Sequence, residues 1–309
     1  MELWSAVFGG DCCMALGVFD GVHRGHQRIL DALRTRAERH GVKAVAVTFD
    51  PHPRAVLAPD QAPPLLMPLE ARIRYLRRYG ADEVMILSFD RDFANLAPAT
   101  FLERLLQYPE GRRVHALVVG SNWRFGVHGS GDREFLERVA AHYHYEFTAV
   151  EELEYHGAVV SSTAIRKFAL AGQLDEAAAM LGRPYALYGT VETGLQAASH
   201  DLGHPTANLK LNGGVLPPDG VYAARVFGRP AAVNIGLAPT YRHLNGMRRR
   251  VEVHILDWTE DLYGRELEVE LLCFLREERT FPGPAELRRQ IEIDVAEIRR
   301  RSQQQEPTP

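Results

Sequence analysis

The spacing of apolar residues changes near residue 185 of this 309-residue chain, and that change constrains the fold more than any other feature of the sequence. Before it, short apolar runs alternate with longer segments whose apolar positions recur at helical spacing. This alternation is typical of βαβ units around a parallel sheet. After it, short apolar runs separated by turn residues predict a small antiparallel sheet or barrel. We therefore predict an α/β chain with two domains, 1–184 and 185–309, in line with about 150 residues per domain.

The same spacing predicts where the individual elements lie. In the first half, strands are predicted over 14–19, 43–49, 83–89, 116–120 and 145–150. Helices are predicted over 27–39, 71–79, 98–107 and 133–143, and a helical connector over 162–181 is split at Gly172. In the second half, strands are predicted over 185–191, 220–226, 231–235, 250–256 and 266–274. An amphipathic helix over 284–300 and a polar tail follow.

Charge and cysteine content exclude several classes of protein. Lys and Arg number 36 against 40 Asp and Glu, a net charge of −4 that disfavours dedicated nucleic-acid binding. Because no run of about 18 apolar residues occurs and the N-terminus lacks signal-peptide features, we expect neither a membrane span nor export. Cys12, Cys13 and Cys273 form a sparse set that predicts reduced thiols in a cytoplasmic protein. A Cys12–Cys13 redox pair is the less favoured alternative.

A glycine- and histidine-containing segment over 17–26 follows the first predicted strand and opens the first predicted helix. His23 and His26 fall on one face of the first helical turn, where backbone N–H groups and the helix dipole favour anions. Gly21 and Gly25 would let the backbone come close to a ligand. We interpret the segment as a phosphate site whose imidazoles donate hydrogen bonds. The alternatives are two surface histidines at a helix start or, less favoured for want of further ligands, a zinc site.

Two further segments end neighbouring strands and are expected at the same sheet edge. Asp50 or His52, in a proline-rich turn after the second strand, could face the cleft, or the segment could be a plain turn. After the fourth strand, Asn122 could hold a hydroxyl or phosphate and Arg124 could pair with a phosphate. The alternative places Arg124 on a solvated rim, with Trp123 and its aromatic neighbour in the core.

Hydroxyl side chains precede an arginine at the start of the helical connector. Ser161, Ser162 and Thr163 lie just before Arg166. One hydroxyl is explained by an N-cap, but three hydroxyls with an Arg and helix-start amides suit a triphosphate.

Taken together, these segments resemble the signatures of the prokaryotic bifunctional riboflavin kinase/FAD synthetase family. They are Gly-Val-Phe-Asp-Gly-Val-His-Arg-Gly-His (17–26), Phe-Asp-Pro-His-Pro (49–53), Val-Val-Gly-Ser-Asn-Trp-Arg-Phe-Gly (118–126) and Ser-Ser-Thr-Ala-Ile-Arg (161–166). The resemblance implies a Rossmann-like HxGH nucleotidyltransferase that adenylylates FMN, with His23 and His26 as catalytic residues. It also implies ATP or phosphate contacts at Gly17, Phe19, Asp20, Gly25, Ser162, Thr163 and Arg166. The flavin contacts that it implies are Asp50, His52, Asn122 and Arg124.

The second half resembles the flavokinase module of the same family. The segment over 202–208 contains Pro-Thr-Ala-Asn, in which Thr206 and Asn208 are oxygen ligands suited to Mg²⁺; a proline turn with capping side chains is the alternative. Glu252 interrupts an apolar strand and is implied as the base that takes the proton of the riboflavin 5′-hydroxyl. The alternative is an outward-facing strand residue. Segments 220–223, 234–240 and 261–264 also resemble flavokinase.

The resemblance implies two reactions with ATP as co-substrate and Mg²⁺ as cofactor: riboflavin to FMN, and FMN to FAD with release of pyrophosphate. FMN and FAD would bind as products, and neither nucleic acid nor membrane is expected as a partner. Residues 197–200 read Ala-Ala-Ser-His where the family usually has Gly-Arg, and His204 replaces an aromatic residue. These departures motivate a second hypothesis, a monofunctional FAD synthetase with a degenerate kinase module. A non-enzymatic flavin sensor is less favoured because the first phosphate site is intact.

Overall fold

The computed structural model describes residues 10–106, 113–192, 207–237 and 249–304. Contacts divide the chain into a first unit, Met1–Pro64 with Leu69–Ser162, and a second unit, Leu65–Pro68 with Thr163–Pro309. This division falls before the helical connector, whereas the change in apolar spacing predicts a boundary after it. The domain limits 1–184 and 185–309 therefore stay a prediction.

In the part of the first unit that the structure describes, five parallel strands form one sheet in the order β3-β2-β1-β4-β5. They are β1 (Cys12–Leu16), β2 (Lys43–Asp50), β3 (Glu83–Ser88), β4 (Val114–Gly120) and β5 (Glu146–Val150). Every residue of β1 is buried, as expected for a central strand covered on both faces. The predicted parallel sheet is thus confirmed.

Helices connect these strands. They are α1 (Arg24–His40), α2 (Pro53–Leu57), α3 (Leu69–Arg78), α4 (Arg91–Ala94), α5 (Pro98–Leu106) and α6 (Arg133–Tyr143). A hairpin of β6 (Glu154–Tyr155) and β7 (Ala158–Val159) follows. Helices α2 and α4 and the hairpin are too short to leave a periodic signal, so the sequence did not predict them. Gly41 ends α1 in the left-handed region at φ 65°, and its N–H caps the carbonyls of Ala37 and Glu38.

The second unit contains a closed antiparallel barrel among its described residues, with the strand order β10-β11-β12-β9-β8-β13. Its strands are β8 (Tyr185–Glu192), β9 (Ala207–Gly213), β10 (Gly220–Val226), β11 (Arg229–Leu237), β12 (Arg249–Ile255) and β13 (Glu266–Arg276). Its helices are α7 (Ser162–Leu170, whose first residue is assigned to the first unit), α8 (Leu174–Leu181) and α9 (Pro284–Gln304). The antiparallel barrel and the split connector are confirmed, whereas β9 was missed and α9 runs on into the predicted tail.

Leu65–Pro68 contact the second unit although both flanking segments belong to the first. The N–H of Gly214 donates to the Leu65 carbonyl at 3.0 Å. A Cβ on Gly213 would lie 2.6 Å from the Pro68 ring, so glycine is needed where this segment crosses the end of β9. Met67 is buried. These four residues therefore fill part of the second unit's surface from a distant point in the sequence.

Cys12 and Cys13 are buried in β1, and both are free thiols. Successive strand residues point to opposite faces of a sheet. Burial raises the pKa of the Cys13 thiol to about 11, so it stays protonated and weakly nucleophilic at neutral pH. These features argue against a redox pair. Within the described ranges, no helix combines the length and the hydropathy that a membrane span requires.

Candidate functional site

Three of the sequence segments singled out above follow β1, β2 and β4, which are neighbours in the sheet. The loops after these strands therefore meet at the carboxyl edge of the sheet, where open α/β folds bind ligands. Gly17, the first residue after β1, is held to the neighbouring strand β2, since its N–H donates to the Val47 carbonyl at 3.1 Å. The expected convergence of these segments is confirmed.

His23 and His26 form a stacked pair at the start of α1. Their ring centroids lie 3.6 Å apart with an interplanar angle of 19°. Helix α1 begins earlier than predicted, so His23 is its N-cap, and its Nδ1 accepts the His26 backbone N–H at 3.4 Å. In a neutral His23 the proton then lies on Nε2, which can donate to an anion. His23 is only 6% exposed, so the alternative of two surface histidines is wrong.

The loop between β1 and α1 is strained and tightly held. Phe19 has a φ of 54° and Val22 a φ of 38°, and both side chains are buried. A β-branched residue at positive φ is rare, and such strain costs about 1–3 kcal/mol per residue and concentrates at functional sites. The Ser162 hydroxyl donates to the Asp20 carbonyl at 2.8 Å, which fixes the middle of the loop. Ser162 therefore shapes this loop, and its contact with phosphate stays a prediction.

Two predicted glycines of this segment make room for aromatic rings of the same segment. A Cβ on Gly17 would lie 3.0 Å from the Phe19 ring, and one on Gly25 would lie 3.2 Å from the His23 ring. The Phe19 ring in turn meets His26 edge-on at 5.2 Å. The glycines thus permit the stacked histidine arrangement itself.

Sequence reasoning missed Arg72, whose guanidinium lies beneath this edge. Its side chain is 1% exposed, and Nη1 donates to the Val18 carbonyl at 2.9 Å, the Phe49 carbonyl at 3.1 Å and Thr48 Oγ1 at 3.3 Å. Burial lowers the pKa of Arg72, an effect that the carboxylates of Asp20 and Asp50 oppose.

Arg72 thus links the ends of β1 and β2. A signal for it was present, because Arg72 shares the apolar face of α3 with Tyr75 and Leu76.

Asp50 and His52 both have partners within the first unit. Asp50 Oδ1 lies 3.6 Å from Arg72 Nη2. His52 caps the short helix α2, and its Nδ1 accepts the Arg54 N–H at 3.1 Å. The turn alternative therefore accounts for the hydrogen bond at His52 Nδ1. The flavin contacts of Asp50 and His52 stay predictions.

Asn122 and Arg124 lie exposed on the loop after β4. Asn122 Nδ2 donates to Glu152 at 2.6 Å, and Arg124 donates to Asp132 at 2.9 Å. Arg124 is therefore the solvated rim residue of the alternative, and Phe125 is buried in the core, where Trp123 stacks on it at 4.6 Å between ring centroids. Both polar side chains would have to exchange these partners to bind a ligand.

Thr163 and Arg166 lie on α7, in the part assigned to the second unit. Arg166 is 9% exposed. The place of these two residues relative to the histidine pair stays a prediction.

Glu252 lies on β12 with its side chain 32% exposed. Its neighbours Val251 and Val253 are buried, so Glu252 is on the opposite, outer face of the barrel, as the outward-facing alternative expected. Arg250 Nη1 donates to Glu252 Oε1 at 3.1 Å. An accessible carboxylate fixed by one guanidinium remains able to accept a proton from a bound alcohol.

Asn208 on β9 is the direct strand partner of Glu252. Its Oδ1 is buried and accepts no hydrogen bond within the described ranges. An amide oxygen without a donor is a suitable ligand for a hard cation, so this residue fits Mg²⁺. Thr206, His204 and residues 197–200 lie outside the described residues.

Comparisons with known proteins match a family model to each half of the chain. A family model described as FAD synthetase matches residues 8–164, and one described as riboflavin kinase matches residues 181–302. Proteins named bifunctional riboflavin kinase/FMN adenylyltransferase are 37% identical over 288 residues in Escherichia coli K12 and 35% identical over 294 residues in Bacillus subtilis 168. Each alignment covers 92% of this chain and 90% of the relative. The match to the riboflavin kinase model favours the bifunctional hypothesis over the monofunctional one.

A solved structure supports the fold over nearly the whole chain. It is described as a macrolide-efflux protein from Streptococcus pneumoniae and superposes with a TM-score of 0.78 at 28% identity, covering 95% of each chain. Its description names a different activity from that of the sequence relatives, so the superposition supports the fold alone.

Proposed function

The chain belongs to the bifunctional riboflavin kinase/FMN adenylyltransferase family, and from this premise we propose which of its residues perform each reaction. It is a transferase that phosphorylates riboflavin with ATP to give FMN and then adenylylates FMN to give FAD. The observation that carries the assignment of residues is the pairing of a histidine cluster at a parallel-sheet edge with an accessible glutamate on a barrel.

In the adenylyl transfer, a phosphate oxygen of FMN attacks the α-phosphorus of ATP, and the bond to pyrophosphate breaks. No covalent enzyme intermediate is needed because a phosphate monoester is already nucleophilic at neutral pH. His23, through Nε2, and His26 donate hydrogen bonds to the phosphates as negative charge grows on the leaving group. Arg166 and Thr163 are proposed to hold the same phosphates, and Asp50, His52, Asn122 and Arg124 to line the FMN site.

The His26→Ala variant tests this assignment. Losing one preorganised donor typically costs about 10²–10³ in rate, so we expect FAD formation to fall by that factor. FMN formation from riboflavin should stay unchanged, which shows that the second unit is folded, and an unchanged unfolding midpoint in calorimetry shows the same for the first unit. The assay is chromatography of products after incubation with MgATP and either riboflavin or FMN. His142→Ala, an exposed histidine of α6, is the matched control, and undiminished FAD output from His26→Ala would refute the role.

In the kinase reaction, Glu252 takes the proton of the riboflavin 5′-hydroxyl, whose oxygen then attacks the γ-phosphorus of ATP, and the bond from this phosphorus to ADP breaks. Arg250 holds the carboxylate in place on β12. Asn208, together with Thr206, would hold Mg²⁺, whose charge offsets that of the ATP phosphates. The buried Oδ1 of Asn208, which accepts no hydrogen bond among the described residues, supports this ligand.

The Glu252→Gln variant removes the base and keeps the shape. We expect FMN formation to fall by about 10²–10⁴ while supplied FMN is still converted to FAD. Glu266→Gln, at the exposed first residue of β13, is the control. Equal rates of FMN formation in both variants would contradict the role of Glu252. For Asn208→Ala we expect a higher Mg²⁺ concentration for half-maximal FMN formation, measured by metal titration.

We place both reactions in the cytoplasm. The free thiols of Cys12, Cys13 and Cys273 support this location, since reduced cysteines are typical of that compartment. Fractionation of cells that express the tagged chain tests it, and recovery with the exported proteins would contradict it.

A further inference from the structure

Glu252 is the middle member of a polar row that crosses three neighbouring strands of the barrel. Asn208 of β9 and Asn234 of β11 are its direct partners on either side. Directly opposed residues of antiparallel strands share a face, and their Cβ atoms lie about 4.5–5.5 Å apart. The adjacent Val233 and Ile235 are buried, so Asn234 lies on the same outer face as Glu252.

Glu278 fixes the orientation of the Asn234 amide. Asn234 Nδ2 donates to Glu278 Oε1 at 2.9 Å. Since an ionised carboxylate can only accept, the nitrogen must face Glu278, and the amide oxygen is turned away from it. A Cβ on Gly236 would overlap the Glu278 carboxylate, so the glycine makes room for this contact.

The oxygen that is turned away, Asn234 Oδ1, is buried and accepts no hydrogen bond among the described residues. A buried acceptor without a partner is destabilising, so a water, an ion or a ligand has to supply its donor. Asn208 Oδ1, on the other side of Glu252, is likewise buried and accepts no hydrogen bond among the described residues.

The two amide oxygens cannot both bind one Mg²⁺. Residues two strands apart have Cβ atoms about 9.5 Å apart, which exceeds the span of two asparagine side chains on one ion with bonds of about 2.1 Å. Asn208 follows the Pro-Thr segment in the sequence and is the proposed Mg²⁺ ligand. Asn234 lies on the opposite side of Glu252, away from that ligand. On that side, the hydroxyl next to the one that Glu252 deprotonates would supply the donor.

We propose that Asn234 Oδ1 accepts a hydrogen bond from the 4′-hydroxyl of the riboflavin ribityl chain, beside the 5′-hydroxyl that Glu252 deprotonates. Two acceptors on adjacent strands match two hydroxyls on adjacent carbons. Asn234 is then a substrate-binding residue that selects an alcohol with a vicinal hydroxyl, and Glu278 is its positioning residue. This inference rests on the kinase role of Glu252 proposed above.

The test compares riboflavin with 4′-deoxyriboflavin as substrates of the full chain. For Asn234→Ala we expect KM for riboflavin to rise about 3- to 10-fold, as for the loss of one hydrogen bond, with KM for ATP unchanged. The unaltered chain should prefer riboflavin to the deoxy analogue, and Asn234→Ala should lose that preference. Glu278→Ala should reduce the preference in part. Lys210→Gln, exposed on β9, is the control.

The outcomes separate this inference from the proposed function. If Asn234→Ala keeps the preference for riboflavin, or changes the ATP or Mg²⁺ requirement instead, the inference is overturned. If the unaltered chain forms FMN equally well from both substrates, it is also overturned. Failure of the kinase assignment would look different: Glu252→Gln would retain FMN formation. An unchanged KM for ATP in FMN formation reports that the barrel of each variant is folded, and conversion of supplied FMN to FAD reports the same for the first unit.

Discussion

Replacing Arg72 with methionine removes a buried charged donor from the ends of β1 and β2, and we expect it to destabilise the first unit. Methionine fills most of the volume, so the cost comes from the acceptors left behind. The Phe49 carbonyl and Asp50 lose a guanidinium contact, while the Val18 carbonyl keeps the Thr48 hydroxyl at 3.0 Å. Asp50 is 43% exposed and can be hydrated, so the main cost is the buried carbonyl left without its donor, about 1–3 kcal/mol. At about 2–4 °C per kcal/mol, the unfolding midpoint should fall by roughly 2–12 °C.

The measurement is differential scanning calorimetry, paired with the temperature at which each of the two activities is lost on heating. FAD formation should be lost at a lower temperature, because Arg72 is in the first unit, and FMN formation should be lost at an unchanged temperature. Arg77→Met, exposed on the same helix, is the matched control and should change stability by no more than about 0.5 kcal/mol. Arg72→Lys keeps a charged donor and should lie between them. An Arg72→Met chain as stable as Arg77→Met would refute the reasoning.

Three further outcomes follow from the packing. Asp294→Asn should lower stability by about 3–5 kcal/mol in urea titrations, because Arg276, which pairs with this carboxylate at 2.8 Å between β13 and α9, would stay half-buried without a carboxylate partner. An unchanged midpoint would contradict this. Gly220→Ala should lower the urea midpoint, since φ is 148° and a Cβ would lie 2.5 Å from the Phe274 ring; Gly228→Ala, in open space at φ 75°, controls for backbone strain alone. At pH 8, the Cys13 thiol, with a pKa of about 11, should react with a disulfide reagent after unfolding and not before, and rapid labelling of the folded chain would disprove its burial.

Periodicity predicted the elements whose apolar positions repeat without interruption. The predicted limits of α6 and β10 coincide with the observed ones, and the parallel sheet and barrel followed from the same signal. Periodicity failed for elements in which polar residues occupy the first turn of a helix or every second position of a strand. The first turn of α1 is polar, so the prediction began the helix at residue 27 instead of Arg24 and did not identify His23 as its N-cap. Strand β9 was missed because Asn208 and Lys210 alternate with its apolar residues, which leaves no continuous apolar run of the kind that marked the other strands.

The motifs located the candidate sites, but their internal supports depend on residues that are distant in the sequence. Arg72 reaches the strand ends only once α3 is docked, and the Asn234 amide is oriented by Glu278 from beyond the end of β13. Such contacts follow from tertiary packing, which neither spacing nor motif order encodes. Glu252, the proposed base, was singled out because it is a charged residue in an apolar strand. Asn234 was not, because its uncharged amide contrasts less with the apolar residues around it.

Because Leu65–Pro68 belongs to the second unit, the stretch of the gene that encodes the first unit is interrupted by four codons of the second. A fragment that begins at residue 185 would lack both the α7–α8 connector and the tetrapeptide that packs against Gly213 and whose Leu65 carbonyl accepts the Gly214 N–H. If kinase modules were exchanged between relatives at a single crossover point, the barrel would come from one parent protein and Leu65–Pro68 from the other. Chimeras that carry both stretches from one parent should accumulate as folded protein more readily than those cut once.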